Sequence, residues 1–193
     1  MSNHTLRCLT EFTNPDEGAQ FCSFMQNVTS RLDWLPAVVV TVINGAAFGG
    51  GAELSTIGDI RLATPNGRIC WVHKNMGLSP GWGGSIRLLN ILGRNKSAYF
   101  QTTSNVINSN QLLDLGYVQE IIDQNEIESW ISSNLESIPL PVLRSIKLNL
   151  ISQKQILLTP QNYQNEAKIF KSLYAAEPNK IALQKVLEKM NKK

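Results

Sequence analysis

Histidine is nearly absent from this sequence: His4 and His73 are the only two in 193 residues. No carboxylate pair stands at ligand spacing near either, so no metal site is expected. Cysteine is sparse as well. Cys8, Cys22 and Cys70 form no C-x-x-C pair, and an odd number at wide spacing reads as free thiols in a reducing compartment. No apolar run reaches the length of a membrane span. Met1-Ser2-Asn3-His4 lacks the charged and apolar regions of a signal peptide. A cytosolic chain with no membrane partner is therefore the expectation. A P-loop and a G-x-G-x-x-G fingerprint are both missing. Charge of one sign is not in excess either: the net charge is +3, too little for a field that would gather nucleic acid. Lys180, Lys185, Lys189, Lys192 and Lys193 do cluster at the end. They read either as a solvated helix face and frayed tail or as a contact for ligand phosphates.

What is present is enough apolar residue, 42% of the chain, for one domain with a real core. Its centre is Val38 to Leu54. Val38 to Ile43 is β-branched with little alternation, the pattern of a strand buried on both faces in an α/β layer. Gly49-Gly50-Gly51 then removes the Cβ from three successive positions, so a ligand can approach the backbone closely. Ala52 to Ile57 suits a helix whose N-terminus favours negative charge at the glycines. A backbone N–H placed there can stabilise a developing oxyanion.

Around this centre the chain reads in order. Asn14-Pro15-Asp16-Glu17 opens a helix, with Phe21, Met25, Val28 and Leu32 as its core face and Leu35-Pro36 as its end. Asp59 to Thr64 and Arg68 to Val72 read as further strands, joined by a Pro65-Asn66-Gly67 turn. Gly77 to Gly84 is a glycine-rich loop. A helix follows to Gly93, and a second starts near Lys96. Asn108 with Gln111 has the spacing of a capping box, and Gly116 sits where a helix ends. Tyr117 to Ile122 suits a short strand. Beyond it only helices are expected. Ile127, Trp130, Ile131 and Leu135 share one face. Further helices start at Pro141, Thr159-Pro160 and Pro178. Tyr163, Ala167, Phe170 and Tyr174 line one side of the second of these, and Leu183, Leu187 and Met190 lie on the last. The division is an α/β core over residues 1–124 and a helical region over 125–193. That region is suited to self-association, to docking, or to packing back on its own sheet.

Gly77-Leu78-Ser79-Pro80-Gly81 matches G-x-S-x-G, yet it fails as a nucleophile elbow. The residue after the serine must lend its N–H to the oxyanion hole, and proline has none. No histidine follows His73 to act as base. Glu53 and His73 are the remaining candidates. An acid near a helix N-terminus commonly serves that helix's own N–H groups, and a histidine at a strand end is commonly a satisfied core residue. Their joint position at neighbouring strand ends, where α/β sheets bind ligands, favours a site.

Gly45 to Leu54, Asp59 with Arg61, and Gly77-Leu78-Ser79-Pro80-Gly81-Trp82-Gly83-Gly84 resemble the crotonase (enoyl-CoA hydratase/isomerase) superfamily. Within it, Phe24 to Asn27, Gly49 to Leu54 and Val72 to Gly77 resemble the ethylmalonyl-CoA decarboxylase branch. The resemblance runs through the chain and weakens after about residue 125. It implies an α/β spiral of ββα units with a helical C-terminal region that mediates trimers or hexamers. It also implies an acyl-CoA thioester as ligand, with no metal or organic cofactor. By motif position Gly50 supplies one oxyanion N–H and Glu53 is the first catalytic glutamate of the hydratases. His73 stands in place of the second, which speaks against hydration. Gly49, Trp82 and Gly83 fall on substrate-binding positions, with Trp82 as a wall of the acyl pocket. The implied reaction is loss of CO₂ from a 2-carboxyacyl-CoA such as ethylmalonyl- or methylmalonyl-CoA. That is a lyase reaction, suited to metabolite proofreading beside fatty acid metabolism.

Family members carry a further segment ahead of the point where this chain starts, holding the first strands, the loop with the other oxyanion donor and much of the CoA adenine pocket. Met1 to Thr13 offers no substitute. One such donor is worth roughly 2.7–4 kcal/mol, or 10²–10³ in rate, so impaired activity and an open apolar strand edge are expected. The rival readings are a non-catalytic crotonase-fold subunit docking on longer copies and an enoyl-CoA hydratase or isomerase.

Overall fold

Asn14 starts the first helix, α1 (Pro15–Asp33), as expected: its Oδ1 accepts the Glu17 N–H at 2.9 Å, with proline at the first position and two acids behind it. The structure, a computed structural model, describes residues 14–154 and 159–191. The expectations for Met1 to Thr13, His4, Cys8, the Met190 side chain, Lys192 and Lys193 lie outside the described residues. The face that α1 buries is not the expected one. Val28 is exposed and Phe21, Met25 and Leu32 are half-buried, while Gly18, Cys22, Gln26, Thr29 and Asp33 are buried. The cause is what the helix lies on. Gly18 meets the Tyr174 ring, which leaves no room for a Cβ, and the residues below it supply hydrogen bonds to a loop rather than apolar surface.

Two three-stranded sheets follow. β1 (Val40–Ile43), β3 (Ile60–Ala63) and β6 (Glu120–Ile121) form one parallel sheet in the order β1-β3-β6. β2 (Ala46–Phe48), β4 (Arg68–Cys70) and β5 (Ile107–Asn108) form the other in the order β2-β4-β5. There β2 and β4 are parallel and β5 is antiparallel. Val40 pairs with Ile60 and Ala46 with Arg68, so the chain places one strand in each sheet and then repeats one step along. With α2 (Gly50–Ser55) between the two passes, this is an α/β spiral of ββα units. The sequence pattern predicts no strand at Ala46–Phe48, and β2 is an addition to it.

The expectation that β1 is buried on both faces is corrected. Val40, Thr41 and Val42 are half-buried and only Ile43 is buried, because among the described residues β1 sits at the edge of its sheet. A groove of about 470 Å³ runs beside it, lined by residues 41–47 with Gly51, Leu54 and Ser55.

α3 (Gly84–Thr103) is broken at Gly93, whose φ of 73° ends one helical piece and starts the next. The Asn108–Gln111 capping box starts α4 (Ser109–Asp114), and Gly116 follows it with φ 71°. The core gathers between the sheets and these helices: Ile43, Ala52, Ile69, Trp71, Leu88, Leu112 and Tyr117.

α5 (Ile127–Ile131) continues as a π turn to Glu136, followed by α6 (Leu140–Lys154), α7 (Pro160–Leu173) and α8 (Glu177–Asn191). α6 is pegged to the sheet by Lys147, whose buried ammonium meets Asp59 Oδ2 at 2.5 Å, and the same oxygen accepts the Val39 N–H. α7 packs along α1. α8 lies on the turn after β4, where Asn179 Nδ2 donates to the Met76 carbonyl at 2.6 Å. Among the described residues no helix is long and apolar enough to cross a membrane.

Candidate active site

Gly49 has φ 56° and ψ −119°, a conformation that favours glycine, and its N–H is tied to the Cys70 carbonyl at 3.0 Å. That turn sets Gly50 at the start of α2. As the first N–H of a helix, it has no intrahelical acceptor. Glu53 lies in the same first turn with 1% of its surface exposed. It does not serve its own helix. Its Oε2 accepts the N–H of Trp82 at 2.8 Å and of Gly84 at 3.1 Å, and its Oε1 lies 3.4 Å from the N–H of Gly81. Gly84 is a glycine for contact: a Cβ there would stand 2.5 Å from Glu53 Cγ.

His73 meets the same carboxylate, Nε2 to Oε1 at 3.0 Å. It does not end a strand. β4 stops at Cys70, and Val72–Met76 forms a 3₁₀ turn closed by Gly77 at φ 67°. An ionised carboxylate only accepts, so His73 donates from Nε2. Nδ1 is buried and has no hydrogen-bond partner among the described residues. The Trp82 indole covers Gly50 so closely that a Cβ on that glycine has no room, and the Phe21 ring meets it edge-on at 5.8 Å. Gly50, Glu53, His73 and Trp82 thus come together, with Gly49 shaping the turn beside them. Gly83 faces away from Glu53. Its φ is 79°, a Cβ would meet the Tyr163 ring at 2.5 Å, and its N–H goes to Glu166 Oε1 at 2.5 Å.

The loop's carbonyls are held as firmly as its amides. Gly81 O accepts from Gln26 Nε2 at 3.0 Å and from the Cys22 thiol at 2.7 Å. Trp82 O accepts from Thr29 Oγ1 at 3.0 Å and from Arg87 Nη2 at 2.6 Å. Sequence reading missed these residues and Glu166. A signal existed for both sets: Cys22, Gln26, Thr29 and Asp33 recur at helical spacing on α1. Glu166 is a lone acid within the aromatic stripe of α7, between Tyr163 and Phe170. Cys22 and Cys70 are free, buried thiols. Burial first, then the charges of Glu166 and Glu53, push the Cys22 thiol up to about 12, so it stays a donor. Among the described residues no three His, Cys, Asp or Glu side chains stand together as a metal site.

Burial, and after it the charge of Glu53, push the Glu166 carboxyl up from 4.5 to about 8, against the pull of the Gly83 N–H, Arg87 and the Ile86 N–H. Between those two pH values the folded chain holds a proton that the unfolded chain releases. Stability from this group is therefore full below about pH 4.5 and declines until about pH 8. Glu166→Gln does not titrate. Relative to the parent, it should gain on the order of a few kcal/mol as pH rises through that window. Melting both proteins at the two ends of the window measures this, and a difference that does not change with pH would contradict it.

The enoyl-CoA hydratase/isomerase family pattern matches residues 8–193. The ethylmalonyl-CoA decarboxylase of Xenopus tropicalis is 35% identical over 190 residues, which are 95% of this chain and 63% of that protein. The chain thus spans just under two thirds of the length of the curated relatives it matches. Among solved structures, an enoyl-CoA hydratase/isomerase from Mycobacterium paratuberculosis superposes with a TM-score of 0.84 at 18% identity, over 93% of this chain and 73% of that one. A protein from Thermobifida fusca YX, solved in complex with acetoacetyl-CoA, gives 0.64 at 22% identity, over 77% and 60%. With the ββα spiral and the Gly49–Glu53 turn in place, the match over nearly the whole chain settles the affiliation: it belongs to the enoyl-CoA hydratase/isomerase, or crotonase, family.

Proposed function

We propose that the chain carries the site of a carboxy-lyase that removes CO₂ from a 2-carboxyacyl-CoA, ethylmalonyl- or methylmalonyl-CoA being the substrates tested first. The observation that carries this reading is the Glu53–His73 pair. A hydratase uses two carboxylates to add water; here the second position holds an imidazole bonded to the first carboxylate at 3.0 Å. The curated relatives named as decarboxylases support the same direction.

The chemistry follows from the pieces. The bond from C2 to the carboxylate breaks, CO₂ leaves, and the electron pair moves into the thioester carbonyl. The enolate oxygen is held by the Gly50 N–H at the helix start, and C2 then takes a proton. Nε2–H of His73 is committed to Glu53, so holding the departing carboxylate or supplying that proton requires the doubly protonated imidazolium, whose Nδ1–H is the remaining donor. Glu53 orients His73 and the Gly81–Gly84 loop, and Trp82 walls the acyl side. The thioester is itself the electron sink, so the reaction asks for no metal or organic cofactor. The ligand is an acyl-CoA thioester, and a homo-oligomer, trimer or hexamer, in the cytosol is the proposed working form.

The test is CO₂ release from ethylmalonyl-CoA by the purified chain beside His73→Ala. Release that drops by about 10²-fold or more in the variant supports the reading. Equal release from both, or none from the folded parent, overturns it. One observation favours a second reading, a non-catalytic subunit docking on longer copies: among the described residues β1 and β2 each stand at the edge of a sheet. Co-purification with a longer copy, with no CoA binding by this chain, would select that reading.

A further inference from the structure

We propose that Glu166 is a positioning residue for Glu53 and His73, acting through the Gly81–Gly84 loop. The inference rests on the decarboxylase reading only where turnover is measured.

Four successive amides of this loop point at two carboxyl groups. Gly81, Trp82 and Gly84 turn to Glu53, and Gly83 alone turns to Glu166 Oε1. The left-handed φ of Gly83 permits that reversal. The Trp82–Gly83 peptide is consequently held at both ends: its carbonyl by Thr29 and Arg87, its N–H by Glu166. Without an acceptor at Glu166, this buried N–H has no partner and the peptide is held by its carbonyl alone. The amides on either side are the ones that hold Glu53, and Glu53 in turn holds His73. A side chain on α7 thereby sets the geometry of the pair.

Glu166 is 7% exposed, and its Oε2 makes no hydrogen bond among the described residues. Cys22 from α1, Glu53 from α2, and Arg87 and Arg94 from α3 are the titratable and charged groups around it, with Tyr163 on its own helix. Ionisation of Glu166 places a second anion against the loop that serves Glu53. That charge repels the Glu53 carboxylate across the loop, so the site loosens as the proton leaves.

The experiment compares the full chain with Glu166→Gln and Glu166→Ala. The imidazole of His73 is followed by ¹H–¹⁵N NMR from neutral to alkaline pH, with His4→Gln to separate the two histidines. CO₂ release from ethylmalonyl-CoA is measured in parallel. The parent's His73 signals should move in a step near pH 8, and both variants should lack that step. Gln keeps an acceptor for the Gly83 N–H, so at neutral pH it should leave the His73 signals in place and kcat within about threefold of the parent. Ala should move the signals and lower kcat at least about tenfold with KM changed little. A step that persists in Glu166→Gln, or parental His73 signals in Glu166→Ala, overturns the proposal. Absence of CO₂ release in the parent sinks the decarboxylase reading alone, and the His73 signals still decide this one.

Discussion

Glu53→Ala is expected to melt about 10 °C or more below the parent and to release no measurable CO₂ from ethylmalonyl-CoA. The carboxylate is the acceptor for two well-placed backbone amides, a longer third one and His73. Each buried N–H left without an acceptor costs roughly 1–3 kcal/mol, and one kcal/mol moves the melting point of a chain this size by about 2–4 °C. The side chain also fills the space beside Gly84, so alanine leaves a void there. Glu53→Gln separates these effects. Both Glu53 oxygens face donors, Oε1 from His73 and Gly81 and Oε2 from Trp82 and Gly84. Glutamine fills the void but must aim its own N–H groups at one of those pairs. It should therefore fail as a rescue at Glu53, although the same change is tolerated at Glu166, where only Oε1 accepts. A Glu53→Gln protein that melts with the parent would show that the void, not the amides, carries the loss.

Much of this arrangement is legible in the residues, and the illegible part has a pattern. Asn14-Pro15, Asn108 with Gln111, Gly116 and Thr159-Pro160 all mark helix ends where the structure has them, because caps and turn residues act locally. The partnership of Glu53 with His73 was suggested by strand-end positions, and the side chains do meet. Reading failed where a long-range polar contact decides burial. α1 was assigned the wrong face because its buried stripe serves the carbonyls of Gly81 and Trp82, 53 to 59 positions away, and apolar periodicity is blind to that. β2 escaped notice because Ala46-Ala47-Phe48 looks like the glycine turn it adjoins. β1 was taken as fully buried from its composition, yet burial also depends on a neighbouring strand that a local window cannot supply. Glu166 sits 113 positions from Glu53, an acid within an aromatic helix stripe. A lone charge on an apolar face is costly unless partnered, and that cost is the cue to look for a site.

The second large effect is expected at Arg87. This guanidinium is 3% exposed and uses its whole fork. Nε donates to Thr56 Oγ1 at 2.9 Å, Nη1 to Asp33 Oδ2 at 3.1 Å, and Nη2 to the Trp82 carbonyl at 2.6 Å. Tyr163 closes the cluster by donating from its hydroxyl to Asp33 at 3.2 Å. Burial, then the charge of Asp33, raise the Tyr163 phenol, which keeps it a donor. Arg87→Met removes one half of a buried ion pair, a change that costs about 3–5 kcal/mol. Urea unfolding should show that loss as a lower midpoint at unchanged slope. Lysine should not rescue it, because a single ammonium cannot reach three separated acceptors with planar geometry. Adding Asp33→Asn to Arg87→Met neutralises the other half of the pair, so the double variant should be more stable than the sum of the two single losses predicts. Strict additivity would mean that Arg87 acts through Thr56 and the Trp82 carbonyl and not through Asp33. In that case its loss should weaken the Glu53 loop, and the His73 imidazole signals would move with it, while the α1–α3 contact stayed intact.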